Sequence, residues 1–326
     1  MKKTAFDLNN NPEKKPNVLA KWLPWIVGCA VLVYLIWQIE PKPLFDALYH
    51  ARIIVFLPAI IIFVIISFII DAQNLRALMN TLDYDLTFVE SMIIRGASNL
   101  ITVVDYTLGM GSVVYFLNVT KHIPLVTGTA IMFFYNYINQ LSLLVLAVIG
   151  YPMIEGFRFS WLTKLMILCL SSFIVSVLVI ILVKKSNIGL IEKIKNTGLF
   201  DSFAEASLST YLINVAYRII FYLTYILFFY VAVKAFNLDI PLIMMVVYVP
   251  IILLVISIPV SAFGFGTSQA AMLFLFKDYG SPAQILAFSL AYSVSLLLLR
   301  ALLGAYFYGI LAGRITLEKK GSEGGY

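Results

Sequence analysis

The sequence predicts an all-α integral membrane protein with six spanning helices and two re-entrant helical hairpins in an inverted-topology repeat. Of its 326 residues, 61% are hydrophobic and only 12% are charged, whereas soluble proteins average about 45–50% and about 25%. Its apolar runs, such as residues 53–70 and 161–183, have the length of about 20 residues that a spanning helix needs. They lack the alternation of barrel strands. Two further apolar runs are interrupted by glycines, and these predict the hairpins.

The predicted elements follow in chain order. Residues 1–21 are polar and are expected to form a disordered cytosolic tail. A single transmembrane domain is expected at residues 22–313, and a basic cytosolic tail at 314–326. The spanning helices are predicted at residues 22–39, 53–70, 125–150, 161–183, 207–236 and 283–311. The hairpins are predicted at residues 89–120 and 241–277.

Two carboxylates stand at predicted helix ends. Residues 71–87 are polar and lead into the sequence Thr-Phe-Val-Glu, in which Thr87 and Glu90 have the spacing of a capping box. Asp71 and Glu90 are therefore expected to be solvated or to cap helices, rather than to act as acid or base.

Both broken segments carry the same pattern of residues. Each contains a Gly-X-Gly with hydroxyl residues beside it, followed by a lysine and then a proline. The first has Gly109, Gly111, Lys121 and Pro124, and the second has Gly264, Gly266, Lys277 and Pro282. The glycines divide each apolar run into pieces that are too short to span a bilayer comfortably, which predicts two similar hairpins.

The placement of lysines predicts the topology. If each broken segment turns back on itself, the amino terminus, the basic loop at residues 184–195 and the carboxy-terminal tail all lie on one side. The positive-inside rule makes that side cytoplasmic, and we expect a multi-pass protein of the cell (inner) membrane. The hairpins then insert from opposite sides, as in inverted repeats that bind substrate near the midplane.

At each hairpin tip, a helix is expected to begin inside the membrane directly after the second glycine. The first amides of such a helix lack intrahelical partners and its dipole is positive there, so the tip can bind an anion such as phosphate. The residues expected to bind it are Gly109, Gly111, Ser112, Gly264, Gly266 and Thr267. Close packing between helices is the alternative role for these glycines.

Ionisable residues inside the apolar runs are few, so each is expected to be functional or paired. Arg218 and Arg300 lie well inside their predicted helices, about 15 Å deep at about 1.5 Å per residue. Arg95 lies in the first arm of the first hairpin, and Asp105 lies close to its tip. A pair of Asp105 with one arginine would still leave positive charge for an anionic headgroup.

Polar side chains at helical spacing predict a lining beside these arginines. One stripe holds Tyr211, Asn214, Arg218, Tyr222 and Tyr225, another holds Ser289, Ser293, Arg300 and Gly304, and Asn136, Asn139 and Gln140 share a third face. Interhelical hydrogen bonding that only stabilises packing is the alternative for these residues.

No enzyme, metal site or cofactor is predicted. His50 and His122 are far apart and lack metal-ligand spacing, and neither a phosphate loop nor an HExxH motif occurs. The net charge of +6 comes from lysines clustered at the ends of apolar segments, where they report topology and contact with anionic lipid. Nucleic acid is therefore not an expected partner.

The two hairpins resemble those of the lysylphosphatidylglycerol synthase transmembrane-region family, the flippase-like domain of the multiple peptide resistance factor. The resemblance covers residues 53–313. The family's second hairpin reads Pro, Ser or Ala, a Pro-Gly-Gly-Leu-Gly-like turn and a short helix. Pro259, Ser261, Gly264, Gly266 and Ala270 match that pattern. The family's first hairpin carries Arg-X-Gly-Glu where residues 109–112 read Gly-Met-Gly-Ser.

Neutral polar residues replace several charged residues of the family. In the helix after the first hairpin the family tends toward charge where this chain has Tyr135, Asn136 and Asn139, and a usual Glu of the second hairpin appears as Gln269. The soluble aminoacyl-transferase domain of the larger members is missing from this sequence. The resemblance therefore implies lipid translocation without lipid synthesis.

The expected function is a flippase or scramblase that translocates phospholipid or a related lipid. The phosphate headgroup would lie between the hairpin tips, with Arg218 and Arg300 as counter-charges. Membrane lipids with an anionic or zwitterionic headgroup are the expected partners, and a homodimer is left open. The alternatives are a transporter of polyprenyl-linked sugars or small organic anions, which needs a water-filled route, and a non-transporting partner of a cell-envelope enzyme.

Overall fold

The computed structural model describes residues 32–38, 41–150, 202–203, 206–257 and 265–323, with isolated helical positions between residues 164 and 181. Residues 32–38 are helical. The helices that follow are α1 (Pro41–Tyr49), α2 (Ile53–Thr81), α3 (Phe88–Thr102), α4 (Tyr106–Lys121), α5 (Leu125–Gly150), α6 (Leu208–Ala235), α7 (Leu242–Ser257), α8 (Thr267–Phe276) and α9 (Pro282–Glu323).

Within the described ranges, four helices are long and apolar enough to cross a membrane. They are α2, α5, α6 and the first 33 residues of α9. These helices coincide with the spans predicted at residues 53–70, 125–150, 207–236 and 283–311. The other two predicted spans, 22–39 and 161–183, lie largely outside the described residues.

The second helix is longer than predicted. It does not end at residue 70 but continues to Thr81, because residues 71–81 contain good helix formers and no glycine or proline. Asp71 therefore lies in a helix interior, and its predicted position at a helix end is wrong.

Each predicted hairpin segment contains two short helices that pack against each other, α3 against α4 and α7 against α8. The helices α3 and α4 have 15 and 16 residues, which at about 1.5 Å per residue is shorter than a bilayer core of about 30 Å. These lengths are compatible with hairpins, while re-entry into the membrane stays a prediction.

Two hydrophobic cores organise the described helices, and each contains one of the hairpins. The first-hairpin core joins α3 and α4 to the first half of α5, and Leu117 and Phe134 are fully buried in it. The second-hairpin core joins α7 and α8 to the second half of α6 and the start of α9, around Phe229, Phe276 and Phe288. Helices α2, α6 and α9 contribute side chains to both cores, so they connect the two parts of the molecule.

Glycines bring α9 close to α3. A Cβ atom at Gly304 would lie 2.8 Å from Cα of Leu100, and one at Gly96 would lie 2.6 Å from Cβ of Phe307. Contacts this short leave no room for any side chain, and small residues of this kind are typical of tightly packed membrane helices. The predicted position of Gly304 on an inward-facing stripe of α9 thus has a packing reason.

Candidate functional site

One carboxylate stands at the centre of a buried charge network. Oδ2 of Asp71 on α2 accepts a hydrogen bond from Nε of Arg95 on α3 at 2.7 Å, and also contacts Nη2 of the same residue. Oδ1 of Asp71 lies 3.0 Å from Nη1 of Arg218 on α6 and accepts a hydrogen bond from the hydroxyl of Tyr135 on α5. We call Asp71, Arg95, Tyr135 and Arg218 the Asp71 cluster.

Burial explains why these charges are paired. The side chains of Asp71, Arg95 and Arg218 are 17%, 16% and 4% exposed, and a charge removed from water is costly unless it has a partner. Cζ of Arg95 lies 5.1 Å from the centroid of the Tyr135 ring, and Cζ of Arg218 lies 4.2 Å from it. Cation–π attraction therefore helps to hold both arginines around one ring.

Arg218 has additional partners that fix its position. With the carboxamide of Asn74 oriented so that its oxygen faces the guanidinium, that oxygen accepts from Nε of Arg218 at 3.0 Å and from Nη2 at 3.2 Å. The Asn74 nitrogen then donates to Oδ1 of Asn214 at 2.7 Å. All three side chains are buried, so α2 and α6 are joined by hydrogen bonds as well as by the ion pair.

Two asparagines predicted from the sequence lie beside the cluster on α5. Oδ1 of Asn136 accepts a hydrogen bond from the hydroxyl of Tyr106 at 3.1 Å, and Oδ1 of Asn139 accepts one from the hydroxyl of Tyr222 at 2.7 Å. Tyr106 is 52% exposed and lies close enough to Arg95 to interact with it electrostatically. The cluster is thus bordered by hydroxyl and amide groups, and its accessible side is the one that carries Tyr106.

Arg300 on α9 adds a further positive charge near this side. It is partly buried and interacts electrostatically with Tyr106, Tyr225 and Tyr292. Among the ion pairs of the described residues, none involves Arg300. Leu298 and Leu302, two residues before and after it, are 55% and 68% exposed and lie on the opposite face of α9, so Arg300 lies on the side of the helix away from its apolar outer face.

Asp105 caps a helix, and in the ion pairs of the described residues it has no arginine partner. The sequence had left a pair with one arginine open. Its side chain accepts a hydrogen bond from the backbone N–H of Leu108 at 2.8 Å, and α4 begins directly after it, at Tyr106. Aspartate is among the strongest N-caps, which is why the helix begins before the glycines and not after Gly111. A carboxylate already interacts with the positive end of this helix. The predicted helix start after Gly111 is therefore wrong, while anion binding by residues of this hairpin stays a prediction.

The glycines of the first hairpin lie in the interior of α4. A Cβ atom at Gly109 would be 2.7 Å from Cα of Thr102, whereas one at Gly111 would meet nothing within 4 Å. Ser112 is buried and donates a hydrogen bond to the carbonyl of Gly109 at 2.6 Å. Gly109 therefore serves the packing of α4 on α3, while Gly111 faces open space.

The second hairpin has the helix start that the sequence predicts. Helix α8 begins at Thr267, directly after Gly266, which has a φ of 84°. The side-chain oxygen of Gln269 accepts hydrogen bonds from the Gly266 amide at 2.7 Å and from the Ser268 hydroxyl at 3.0 Å. Gly264 lies outside the described residues.

Gln269 also connects α8 to α9. It is fully buried, and its amide nitrogen donates to the hydroxyl oxygen of Ser293 at 3.2 Å. An ionised glutamate could accept the same two hydrogen bonds but has no N–H to donate to Ser293. The neutral amide at this position therefore suits its role as a link between two helices.

The base of the first hairpin is held by the predicted capping box. The Thr87 amide donates to the Glu90 carboxylate at 2.8 Å, and the Glu90 amide donates to the Thr87 hydroxyl at 3.3 Å. Lys121 at the end of α4 lies 2.7 Å from the same carboxylate. Burial alone would raise the pKa of Glu90, but the hydrogen bonds from Lys121 and Thr87 outweigh it and lower the pKa.

Sequence reasoning missed the carboxylate at the centre of the site. It expected Arg95, Arg218, Asn136 and Asn139 to line one site, and it considered Asp105 as the partner of an arginine. The signal that could have identified Asp71 is its spacing of three residues from Asn74, which puts both on one face if the helix continues past residue 70. In the part of the chain that the structure describes, no three His, Cys, Asp or Glu side chains form a group that could hold a metal.

Comparison with known proteins identifies one family. The family model described as "Lysylphosphatidylglycerol synthase TM region" matches residues 25–304, a range that contains the Asp71 cluster, both hairpin segments and Arg300. No curated protein and no solved structure matches the chain.

Proposed function

The chain belongs to the lysylphosphatidylglycerol synthase transmembrane-region family, and from this premise we propose that it is a flippase or scramblase for membrane lipids. The observation that carries the proposal is the Asp71 cluster, in which the buried Arg218 and the largely buried Arg95 share one carboxylate. The cluster has a net positive charge, and a charge in surroundings of low polarity attracts an anion far more strongly than one in water.

The phosphate of a lipid headgroup is the anion that fits these surroundings. A guanidinium group binds phosphate oxygens through paired, charge-assisted hydrogen bonds. Arg95 and Tyr106 face the accessible side of the cluster, and Arg300 lies near Tyr106. We place the headgroup among these three residues. The side-chain amides of Asn136 and Asn139 on α5 are available for its polar substituents.

The acyl chains are placed in the bilayer, outside the headgroup site. The exposed side chains of Leu298 and Leu302 form an apolar face of α9 opposite Arg300, so the headgroup lies on the inner side of this helix. This placement replaces the headgroup site between the hairpin tips, because Asp105 already caps the first tip. It retains Arg95 and Arg300 from the predicted site, while Arg218 stays paired with Asp71 and Asn74.

Reconstitution into liposomes tests the proposal. Purified protein should move a fluorescently labelled phospholipid between leaflets, and Arg300→Ala should slow that movement about tenfold or more, since a hydrogen bond to a charged group contributes about 1.5–3 kcal/mol. Arg314→Ala, at an exposed position of the same helix, is the matched control and should keep the wild-type rate.

Two results would count against this assignment. Wild-type rates for both Arg95→Gln and Arg300→Ala, in protein that remains monodisperse, would remove the headgroup site. A complete lack of lipid movement by the wild-type protein would contradict the flippase or scramblase function itself.

A further inference from the structure

We propose that Asp71 occupies the anion site of Arg95 in the empty protein and releases it, with uptake of a proton, when a phosphodiester anion binds. The anion is a monoanionic phosphodiester, whether it belongs to a lipid headgroup or to a soluble organic phosphate. The inference rests on the headgroup site proposed above and adds a proton to the binding reaction.

Arg95 is the arginine that can be exchanged. Among the described residues its hydrogen bonds go to one oxygen of Asp71, and its side chain is 16% exposed. Arg218 is 4% exposed and is held by Asn74 as well as by Asp71. An anion that approaches from the side of Tyr106 therefore reaches Arg95 first and leaves the bonds between Arg218 and Asn74 intact.

The displaced carboxylate needs a new partner. Among the described residues, both hydrogen bonds that reach Oδ2 of Asp71 come from Arg95. An anion that takes this guanidinium therefore removes the donors that the described residues supply to this largely buried oxygen. The bound phosphodiester also places a second negative charge beside it. Of the two described cations in contact with Asp71, Arg218 alone then remains. Loss of a hydrogen-bonded cation and the approach of a like charge both favour the protonated form of the carboxyl group. A proton on Oδ2 removes the charge and supplies an O–H that can donate to a phosphate oxygen.

Groups from four other helices surround Asp71. The groups facing it are Arg95 from α3, Tyr106 from α4, Tyr135 from α5, and Arg218 and Tyr222 from α6, while Arg300 from α9 acts on Tyr106. Arg95 and Arg218 are the cations in direct contact with the carboxylate. Removing one of these two therefore shifts the balance toward the protonated carboxyl group.

Linkage fixes the sign of the pH dependence. If binding of the anion favours protonation of Asp71, protonation must favour binding of the anion by the same factor. Affinity for the phosphodiester therefore rises as the pH falls. The change approaches about tenfold per pH unit where one full proton is taken up per anion.

Calorimetry on the full chain in detergent tests the coupling directly. The probes are dihexanoyl phosphatidylglycerol and glycerophosphoglycerol, which share a phosphodiester that does not titrate at neutral pH but differ in having acyl chains. Titrations in two buffers of different ionisation enthalpy give the number of protons taken up. We expect net proton uptake with at least one probe, and binding of the lipid alone would identify the lipid headgroup as the source of the anion.

A pair of variants assigns the proton. Asp71→Asn should bind the probe at least as tightly as the wild type, without proton uptake and without pH dependence. Asp239→Asn removes a carboxylate that is 90% exposed and pairs with Lys234, and this control should keep the wild-type uptake. Uptake that is unchanged in Asp71→Asn would overturn the assignment.

The number of protons that the wild-type protein takes up on binding tests the proposal even if Asp71→Asn does not fold. Binding without proton uptake, or no binding of either probe, refutes the proposal. Its failure is distinguishable from that of the proposed function. Lipid movement in liposomes together with binding that takes up no proton refutes only the exchange, whereas proton-linked binding of glycerophosphoglycerol without lipid movement refutes only the translocation.

Discussion

A single carboxylate, Asp71, holds side chains from three other helices. Its two oxygens accept hydrogen bonds from Arg95 and Tyr135 and form an ion pair with Arg218. Asp71 therefore determines how α3, α5 and α6 face α2. The arginines themselves were predictable because charges inside apolar runs are rare and need an interior role. Their acidic partner was not predictable, because the choice between Asp71 and Asp105 depends on where one helix ends and the next begins.

The hydroxyl of Tyr135 can be tested separately from its ring. Tyr135→Phe removes the hydrogen bond to Asp71 and keeps the ring that both guanidinium groups approach. We expect the free energy of unfolding to fall by about 1.5–3 kcal/mol, the usual contribution of a hydrogen bond to a charged group. The measurement is thermal unfolding in detergent micelles.

Tyr308→Phe provides the control for that change, since Tyr308 is 44% exposed on α9. It should leave the unfolding midpoint close to that of the wild type. Equal midpoints for Tyr135→Phe and the wild type would mean that the hydroxyl contributes nothing to the cluster.

At the scale of the element, the sequence pattern predicts the limits of the first hairpin well but misplaces its turn. The predicted segment, residues 89–120, closely matches α3 and α4 together, because its boundaries follow from the Thr87 cap and from the polar residues after Lys121. The turn was misplaced because glycines suggest a break, whereas here one of them is required by packing on Thr102. A short-range pattern does not reveal which neighbour a glycine touches.

The two glycines of α4 make a matched pair for a test of hairpin packing. Gly109→Ala should lower the free energy of unfolding by about 1–3 kcal/mol, because the new methyl group overlaps the backbone of Thr102. Gly111→Ala faces open space and should raise it by about 0.5–1 kcal/mol, since alanine is the better residue in a helix interior. Thermal unfolding of both variants side by side measures the difference.

An equal response of Gly109→Ala and Gly111→Ala would contradict the packing role of Gly109. If both variants unfold like the wild type but bind lipid more weakly, the glycines contact the headgroup instead.

At the scale of the whole molecule, each hairpin belongs to one hydrophobic core and three long helices connect the two cores. Length and apolarity were enough to predict α2, α5, α6 and α9, because every spanning helix must satisfy its backbone internally over the same thickness. The sequence does not predict which side chains belong to which of the two cores. The helices are apolar on most sides, so their periodicity does not show which face meets which neighbour.

The contact of α3 with α9 tests how the first hairpin is fixed to the rest of the protein. Gly304→Ala should lower the free energy of unfolding by about 1–3 kcal/mol, because its methyl group would overlap Leu100. Gly309→Ala on the same helix has nothing within 4 Å and should be neutral or slightly stabilising. Unfolding midpoints in detergent distinguish the two, and a destabilised Gly309→Ala would mean that this part of α9 is covered by something else.

The unequal anchoring of the two arginines has a mechanical consequence. Arg218 ties α2 to α6 through both Asp71 and Asn74, while Arg95 ties α3 to α2 through Asp71 alone among the described residues. Loss of the Arg95 contact would therefore loosen the first hairpin and leave the α2–α6 pair rigid. The exchange that recognises an anion would then also select which helices are free to move.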